Sequence, residues 1–174
     1  ISMVNKWTFE PILKQHQRKD FDCGYPSLNL YLRKYARQNH EKNIAKAYVA
    51  RRASPTICWR VNGYYTISTS TIEFASIPES YQQGMPKYPI PSALIGRLAV
   101  DNAFKGKGLG TELLVDALLR IVRVSIEIGV FAVRVDAIDD SARNFYLKHE
   151  FIPFQDQSLS LFLPLETVKK EFLI

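Results

Sequence analysis

The sequence predicts an α/β fold, with a mixed and partly parallel central sheet flanked by helices. The second half of the chain carries the prediction. An apolar strand at 93–100 leads through a glycine-rich turn into a long apolar helix reaching about Ile128. A strand at 130–136, a short helix at 139–149 and a closing strand at 158–163 follow. With 174 residues, 47% of them hydrophobic and 23% charged, the chain fits one ordinary globular domain over 1–174 with a proper core. No internal repeat or linker divides it.

The first half supplies the remaining elements. A short strand is expected near Trp7–Pro11, and Phe21-Asp22-Cys23-Gly24 reads as a turn. Pro26 and Ser27 suit a helix start. Leu28, Leu32, Tyr35 and Ala36 then share one face, and Arg33, Lys34, Arg37 and Gln38 the other, giving an amphipathic helix with a basic exposed side. Residues 45–52 alternate like a strand. Segments 57–60 and 64–70, joined by Val61-Asn62-Gly63, read as a hairpin, because Asn-Gly favours a tight turn. Prolines at 78, 86, 89 and 91 make 77–91 a long surface loop. Ile1 and Ser2 read as residues left by expression ahead of a start at Met3, and stay outside the fold reasoning.

The net charge is +6, from 23 basic and 17 acidic residues, which favours a polyanionic partner such as nucleic acid or CoA. Cys23 and Cys58 form no Cys-x-x-Cys or Cys/His cluster and read as free thiols of a reducing compartment. His16, His40 and His149 are scattered, so no metal site is expected. No apolar run approaches the roughly 18 residues of a membrane span. With no signal peptide at the start, the expected location is the cytoplasm.

Chemistry concentrates in Lys105-Gly106-Lys107-Gly108-Leu109-Gly110. A phosphate-binding turn needs backbone N–H groups aimed into one concavity, and glycine tolerates the positive φ that this requires. Leu109-Gly110-Thr111 runs into the helix, whose first-turn amides and dipole also favour an anion. Lys105 and Lys107 add positive charge. The glycine spacing is neither the dinucleotide fingerprint nor a P-loop.

Arg97-Leu98-Ala99-Val100-Asp101, four residues, then Gly106-Lys107-Gly108-Leu109-Gly110 resembles the core signature of GNAT N-acetyltransferases, R/Q-x-x-G-x-G/A. The resemblance implies a GNAT fold with a splayed pair of parallel strands, and acetyl-CoA as acetyl donor. It places the pyrophosphate on 105–110 and Thr111, and the pantetheine arm on the backbone of Leu98, Ala99 and Val100. Lys105 stands where the family has Arg or Gln. The run Asp139 to Phe151, which includes Ala142, Phe145 and Tyr146, resembles the second signature, N-x-x-A-x-x-F-Y-x-x-x-G-F. That assigns Tyr146 as the acid that protonates the departing CoA sulfur and makes Asn144 a cofactor-contact candidate. The CoA thiol has a pKa of about 8.5 by analogy with cysteine, so a phenol near 10 can return its proton. Asp139 replaces the frequent asparagine, and Glu150 replaces the glycine of a left-handed turn.

Phe21-Asp22-Cys23-Gly24 with Leu28, Leu32, Ala36-Arg37 and Gln38, then Gly63-Tyr64-Tyr65-Thr66 and Gly96-Arg97-Leu98-Ala99-Val100-Asp101, together covering most of residues 9–165, look like the GNAT toxins of type II toxin–antitoxin pairs. These acetylate the α-amine of aminoacyl-tRNA, blocking translation, and are dimers neutralised by a ribbon-helix-helix antitoxin. The same reading is therefore expected here: aminoacyl-tRNA as acceptor, such an antitoxin as partner, and a homodimer. Two features of the residues agree. Residues 93–100 contain no Asp or Glu, and an α-amine of pKa near 8 needs less basic help than a lysine near 10.4; Glu73 or a water is the remaining base candidate. Arg33, Lys34 and Arg37, with Arg51, Arg52 and Arg97, offer cations for tRNA phosphates. A mid-strand charge at Arg97 should be paired or reach the substrate. The competing readings are a housekeeping GNAT acting on a small amine or protein N-terminus, and an inactive GNAT-fold binding module.

Overall fold

The computed structural model describes residues 6–173; the expected start at Met3 lies outside them. Strands β1 (Trp7–Pro11), β2 (Lys46–Arg52), β3 (Gly63–Ile72), β4 (Ile90–Val100), β5 (Ala132–Asp136), β6 (Ile152–Pro153) and β7 (Ser160–Pro164) form one sheet. Its order is β1-β2-β3-β4-β5-β7-β6. The β4–β5 pair is parallel, whereas β1–β2, β2–β3, β5–β7 and β6–β7 are antiparallel. This is the mixed sheet that the alternating pattern predicts. The β4–β5 ladder runs from Ser92↔Ala132 to Ile95↔Val135, although β4 itself continues to Val100.

The chain divides into two compact units, one of residues 1–68 with 97–117 and one of 69–96 with 118–174. In the first, Phe21, Tyr31, Leu32, Ala36, Val49, Tyr64 and Ala99 form a buried cluster. In the second, Ile72, Ile77, Ile90, Ala132, Phe154 and Phe162 do so. Strands β3 and β4 and the helix α4 (Leu109–Val124) contribute residues to both.

The early helix has three parts: α1 (Pro26–Leu30), a π turn at Tyr31–Tyr35 and α2 (Ala36–Glu41). Pro26 at the first turn starts it, as its fixed φ and missing N–H allow. The π turn inserts a residue and shifts the helical phase. Tyr31, Leu32 and Ala36 consequently face inward and Tyr35 faces solvent, correcting the apolar face read from the sequence.

The expected hairpin is absent. β3 pairs with β2, and residues 57–60 form no strand; Arg60 makes only an isolated bridge to Gln17. Asn62-Gly63 is the entry to β3, with Asn62 N–H donating to the Ala50 carbonyl and its own carbonyl accepting from Asp101 N–H. The loop reading of 77–91 also changes. Within it lie α3 (Glu79–Gln82) and the start of β4, where Ile90 is buried. Pro78 caps α3 in an extended conformation, and the Pro91 carbonyl accepts from Phe131 N–H, so neither proline breaks an element.

α4 buries Leu109, Leu113, Leu114, Ala117, Leu118, Ile121 and Val122, one helical face. It stops at Val124 rather than near Ile128. There the Ser125 hydroxyl donates to the Val122 carbonyl, and Ile126 and Ile128 are exposed. α6 (Leu165–Glu171) and the two-residue β6 had no counterpart in the sequence reading; α6 buries only Leu165 and Val168.

α5 (Asp140–Lys148) is capped at both ends. Asp139 accepts from Ala142 N–H at 2.8 Å, so the asparagine-to-aspartate change keeps an N-cap acceptor. At the other end, Phe151 N–H donates to the Tyr146 carbonyl and Glu150 N–H to the Leu147 carbonyl, with the Phe151 and Tyr146 rings 5.3 Å apart. This is a Schellman motif. Its left-handed position, φ 69°, is held by Glu150. Glu150→Gly should therefore raise stability by about 1 kcal/mol, read as a higher denaturant midpoint at unchanged slope; a lower midpoint would mean that the Glu150 side chain stabilises the turn.

Candidate active site

In the first unit the site begins on the end of β4. Leu98 and Val100 are half-buried and Ala99 is buried. Asp101 closes the strand. One carboxylate oxygen accepts from Ala103 N–H at 2.9 Å, starting the 3-10 turn Asn102–Phe104, and the other from Asp22 N–H at 3.2 Å. Asn102 N–H donates back to the Asp22 carbonyl. Asp101 is 4% exposed, so these bonds are made away from water and fix where the glycine loop begins. The sequence reading passed over this role, although a carboxylate just ahead of a glycine loop was there to be asked about.

Gly106 and Gly108 have φ of 74° and 84°, and a Cβ on either would meet open space. Their glycine identity thus reflects backbone shape and approach from outside. Such alternation turns N–H groups toward one side, the geometry of an anion nest. Gly110 differs: it lies inside α4. The first intrahelical bond is Glu112 N–H to the Gly108 carbonyl, so Leu109 and Gly110 begin the helix directly over the nest. Thr111 is exposed in the same turn. The pyrophosphate of an acyl-CoA fits this arrangement, with concave backbone donors, a helix start and Lys107 beside it.

The two lysines do different work. Lys105 Nζ donates to the Cys23 carbonyl at 2.6 Å and lies 5.7 Å from the Tyr25 ring, tying the loop to the 21–25 turn. Lys107 Nζ sits 5.6 Å from the Phe104 ring centroid. Arg97, half-buried on β4, places its guanidinium 3.5 Å from the Tyr31 ring centroid, and Tyr31 stacks on Tyr64. Cation–π contact therefore accounts for a charge that the sequence reading expected to be paired or aimed at substrate. Arg33 donates to the Phe21 carbonyl at 2.6 Å and Arg37 pairs with Glu41, while Lys34 is exposed. The basic face exists, with two of its three cations engaged locally.

In the second unit, Tyr146 is 6% exposed on α5, its ring 5.3 Å from those of Phe145 and Phe151. Burial pushes its phenol well above the usual tyrosine range. It is thus an aromatic of the helix packing and also a hydroxyl that keeps its proton. Asn144 and Glu73 are exposed. Among the described residues no group of three or more His, Cys, Asp or Glu is placed to hold a metal ion, and no helix is long and apolar enough to cross a membrane.

Comparison with known proteins gives the family. The profile of the Acetyltransferase (GNAT) family matches residues 29–151. A tRNA-acetylating toxin of Mycobacterium tuberculosis is 39% identical over 131 residues, 75% of each chain. AtaT complexed with acetyl-methionyl-tRNAfMet superposes with a TM-score of 0.87 at 32% identity, over 95% of this chain and 99% of that one. A tyrosine-to-phenylalanine mutant of AtaT bound to the C-terminus of the antitoxin AtaR and acetyl-CoA does so at 0.82 and 28% identity, over 98% and 100%.

Proposed function

The chain belongs to the acetyltransferase (GNAT) family, among the toxins of toxin–antitoxin pairs, and we propose that it acetylates the α-amino group of aminoacyl-tRNA, blocking translation. The observation that carries this reading is the 39% identity with a tRNA-acetylating toxin over three quarters of both chains. The glycine nest and a proton-retaining Tyr146 supply the chemistry it needs.

Acetyl-CoA supplies a thioester: the amine nitrogen bonds its carbonyl carbon, the C–S bond breaks, and one proton leaves the nitrogen while one reaches the sulfur. The residues of this chain hold and protonate. Gly106, Gly108, Leu109 and Gly110 offer backbone donors to the pyrophosphate, with Lys107 adding charge and Thr111 lying in the same first turn. The Leu98, Ala99 and Val100 backbone serves the pantetheine arm. Lys105 acts by anchoring the loop, and Asn144 is a peripheral contact. Tyr146, kept neutral by burial, donates its proton to the sulfur. An α-amine near pKa 8 is substantially neutral at cellular pH, so a water, or the exposed Glu73 through water, suffices as base. Among the described residues Lys34 is the free cation of the face offered to the RNA, and Arg33, Arg37 and Arg97 would join it by exchanging their contacts with the Phe21 carbonyl, Glu41 and the Tyr31 ring. The two compact units act as one catalytic domain, in a cytoplasmic homodimer neutralised by a ribbon-helix-helix antitoxin.

Purified protein mixed with labelled acetyl-CoA and charged tRNA should place label on the aminoacyl end, recovered as the N-acetyl amino acid after ester hydrolysis. Label found only on free polyamines or on proteins would refute the acceptor and leave the housekeeping reading. A small ribbon-helix-helix gene beside this one is a second mark that the housekeeping reading does not predict.

A further inference from the structure

A second cationic feature lies outside the basic helix and shares only Lys107 with the glycine loop. A cavity of about 630 Å³ in the first unit is lined by Lys6, Trp7, Arg52, Ser54, Phe104 and Lys107, with Ala53 between. Its size is that of a ligand pocket rather than a packing fault. Trp7 and Phe104 meet edge to face at 5.3 Å and give it an apolar wall. Trp7 is pinned by β1–β2 pairing opposite Arg52, and the Lys6 carbonyl accepts from Ala53 N–H. The wall is thus built on paired strands.

The charges are one-sided. Lys6, Arg52 and Lys107 are all exposed, and no carboxylate is among the described residues that line the cavity. Three arginines of the same unit are answered: Arg51 by Glu10, Arg37 by Glu41, and Arg60, which also reaches the Phe104 ring, by Asp101 at 3.8 Å. Three like charges gathered around an aromatic wall repel one another and favour a polyanion. Clustered positive charge beside a partly exposed ring, here Phe104, is a combination that single-stranded nucleic acid uses.

We propose that the cavity bounded by Lys6, Trp7, Arg52, Phe104 and Lys107 is a docking site for the phosphate backbone of the RNA acceptor. This rests on the aminoacyl-tRNA reading above and adds to it a place of contact separate from the early helix. The binding is electrostatic and sequence-independent, since cations on phosphates carry no base readout.

The test is the Lys6→Ala/Arg52→Ala double variant, which leaves every residue of the cofactor loop intact. Its KM for aminoacyl-tRNA should rise roughly tenfold with KM for acetyl-CoA unchanged, and the slope of log Kd for tRNA against log salt should flatten by about one to two. A Lys6→Arg/Arg52→Lys variant should restore both. Unchanged tRNA parameters, in a variant that melts like the parent, overturn the proposal. A rise in KM for acetyl-CoA alone also overturns it, assigning the cavity to the cofactor. Failure of the parent protein to acetylate charged tRNA would instead strike the functional reading itself.

Discussion

Tyr146→Phe is expected to lower acetyl transfer by roughly 10²–10⁴-fold while leaving acetyl-CoA affinity within about twofold. The substitution removes one hydroxyl. The ring that packs against Phe145 and Phe151 stays, as does the backbone carbonyl that closes the Schellman motif. Folding should therefore survive, and a thermal midpoint within a few degrees of the parent is the control. The pH profile separates an acid from a core aromatic. An α-amine acceptor makes the rate rise with pH up to about 8 and then level off. An ordinary phenol, pKa ~10, would lose its proton and bring an alkaline limb near that value. Burial raises the Tyr146 pKa, so the protonated form persists to higher pH and any alkaline limb should fall above that of an ordinary phenol. Full activity in the variant would return Tyr146 to the role of a packed aromatic. Loss of acetyl-CoA binding would make it a cofactor contact instead of a proton donor.

The second half of the fold was legible because its elements carry their own signals. The face of α4 repeats at helical spacing from Leu109 to Val122, β7 is a short apolar run, and β5 sets buried Val133 and Val135 on either side of Arg134. The glycine loop could be read for the same reason, since left-handed backbone at Gly106 and Gly108 is a local property. What escaped depends on distant partners. Tyr35 was placed on the inner face because a regular helix puts it there; the π turn that rotates it outward leaves no mark in the residue pattern. A mid-strand charge at Arg97 calls for a partner or the substrate, but not for Tyr31 in particular, which lies 66 positions earlier and whose ring only the fold brings to 3.5 Å. Lys105 stands at the family's cationic position, and its ammonium also meets the Cys23 carbonyl, a contact no motif encodes.

Gly63 joins the misread hairpin to the cofactor strand, and Gly63→Ala should cost about 2 kcal/mol, a fall in thermal midpoint of roughly 4–8 °C. Asn-Gly suggested a turn that needs positive φ, yet Gly63 has an ordinary φ and pairs with Ala50 at the start of β3. Its glycine identity answers to space. A Cβ there would stand 2.8 Å from Leu113 Cδ1 and 3.0 Å from the Ala99 carbonyl oxygen. The leucine tip is flexible but wholly buried, and the carbonyl belongs to backbone, so neither yields without strain. The two contacts predict different losses. Strain at Leu113 lowers stability alone; displacement of the Ala99 carbonyl disturbs the strand proposed to bind pantetheine and should also raise KM for acetyl-CoA. Adding Leu113→Val discriminates between them. If the leucine clash dominates, the pair should cost clearly less than the sum of the single changes, because the shortened side chain makes room for the methyl. If the two costs add and KM stays high, the carbonyl is the contact that matters. A Gly63→Ala protein that melts and turns over like the parent would show that β3 has slack at its start, and that the close approach at this glycine constrains neither stability nor cofactor binding.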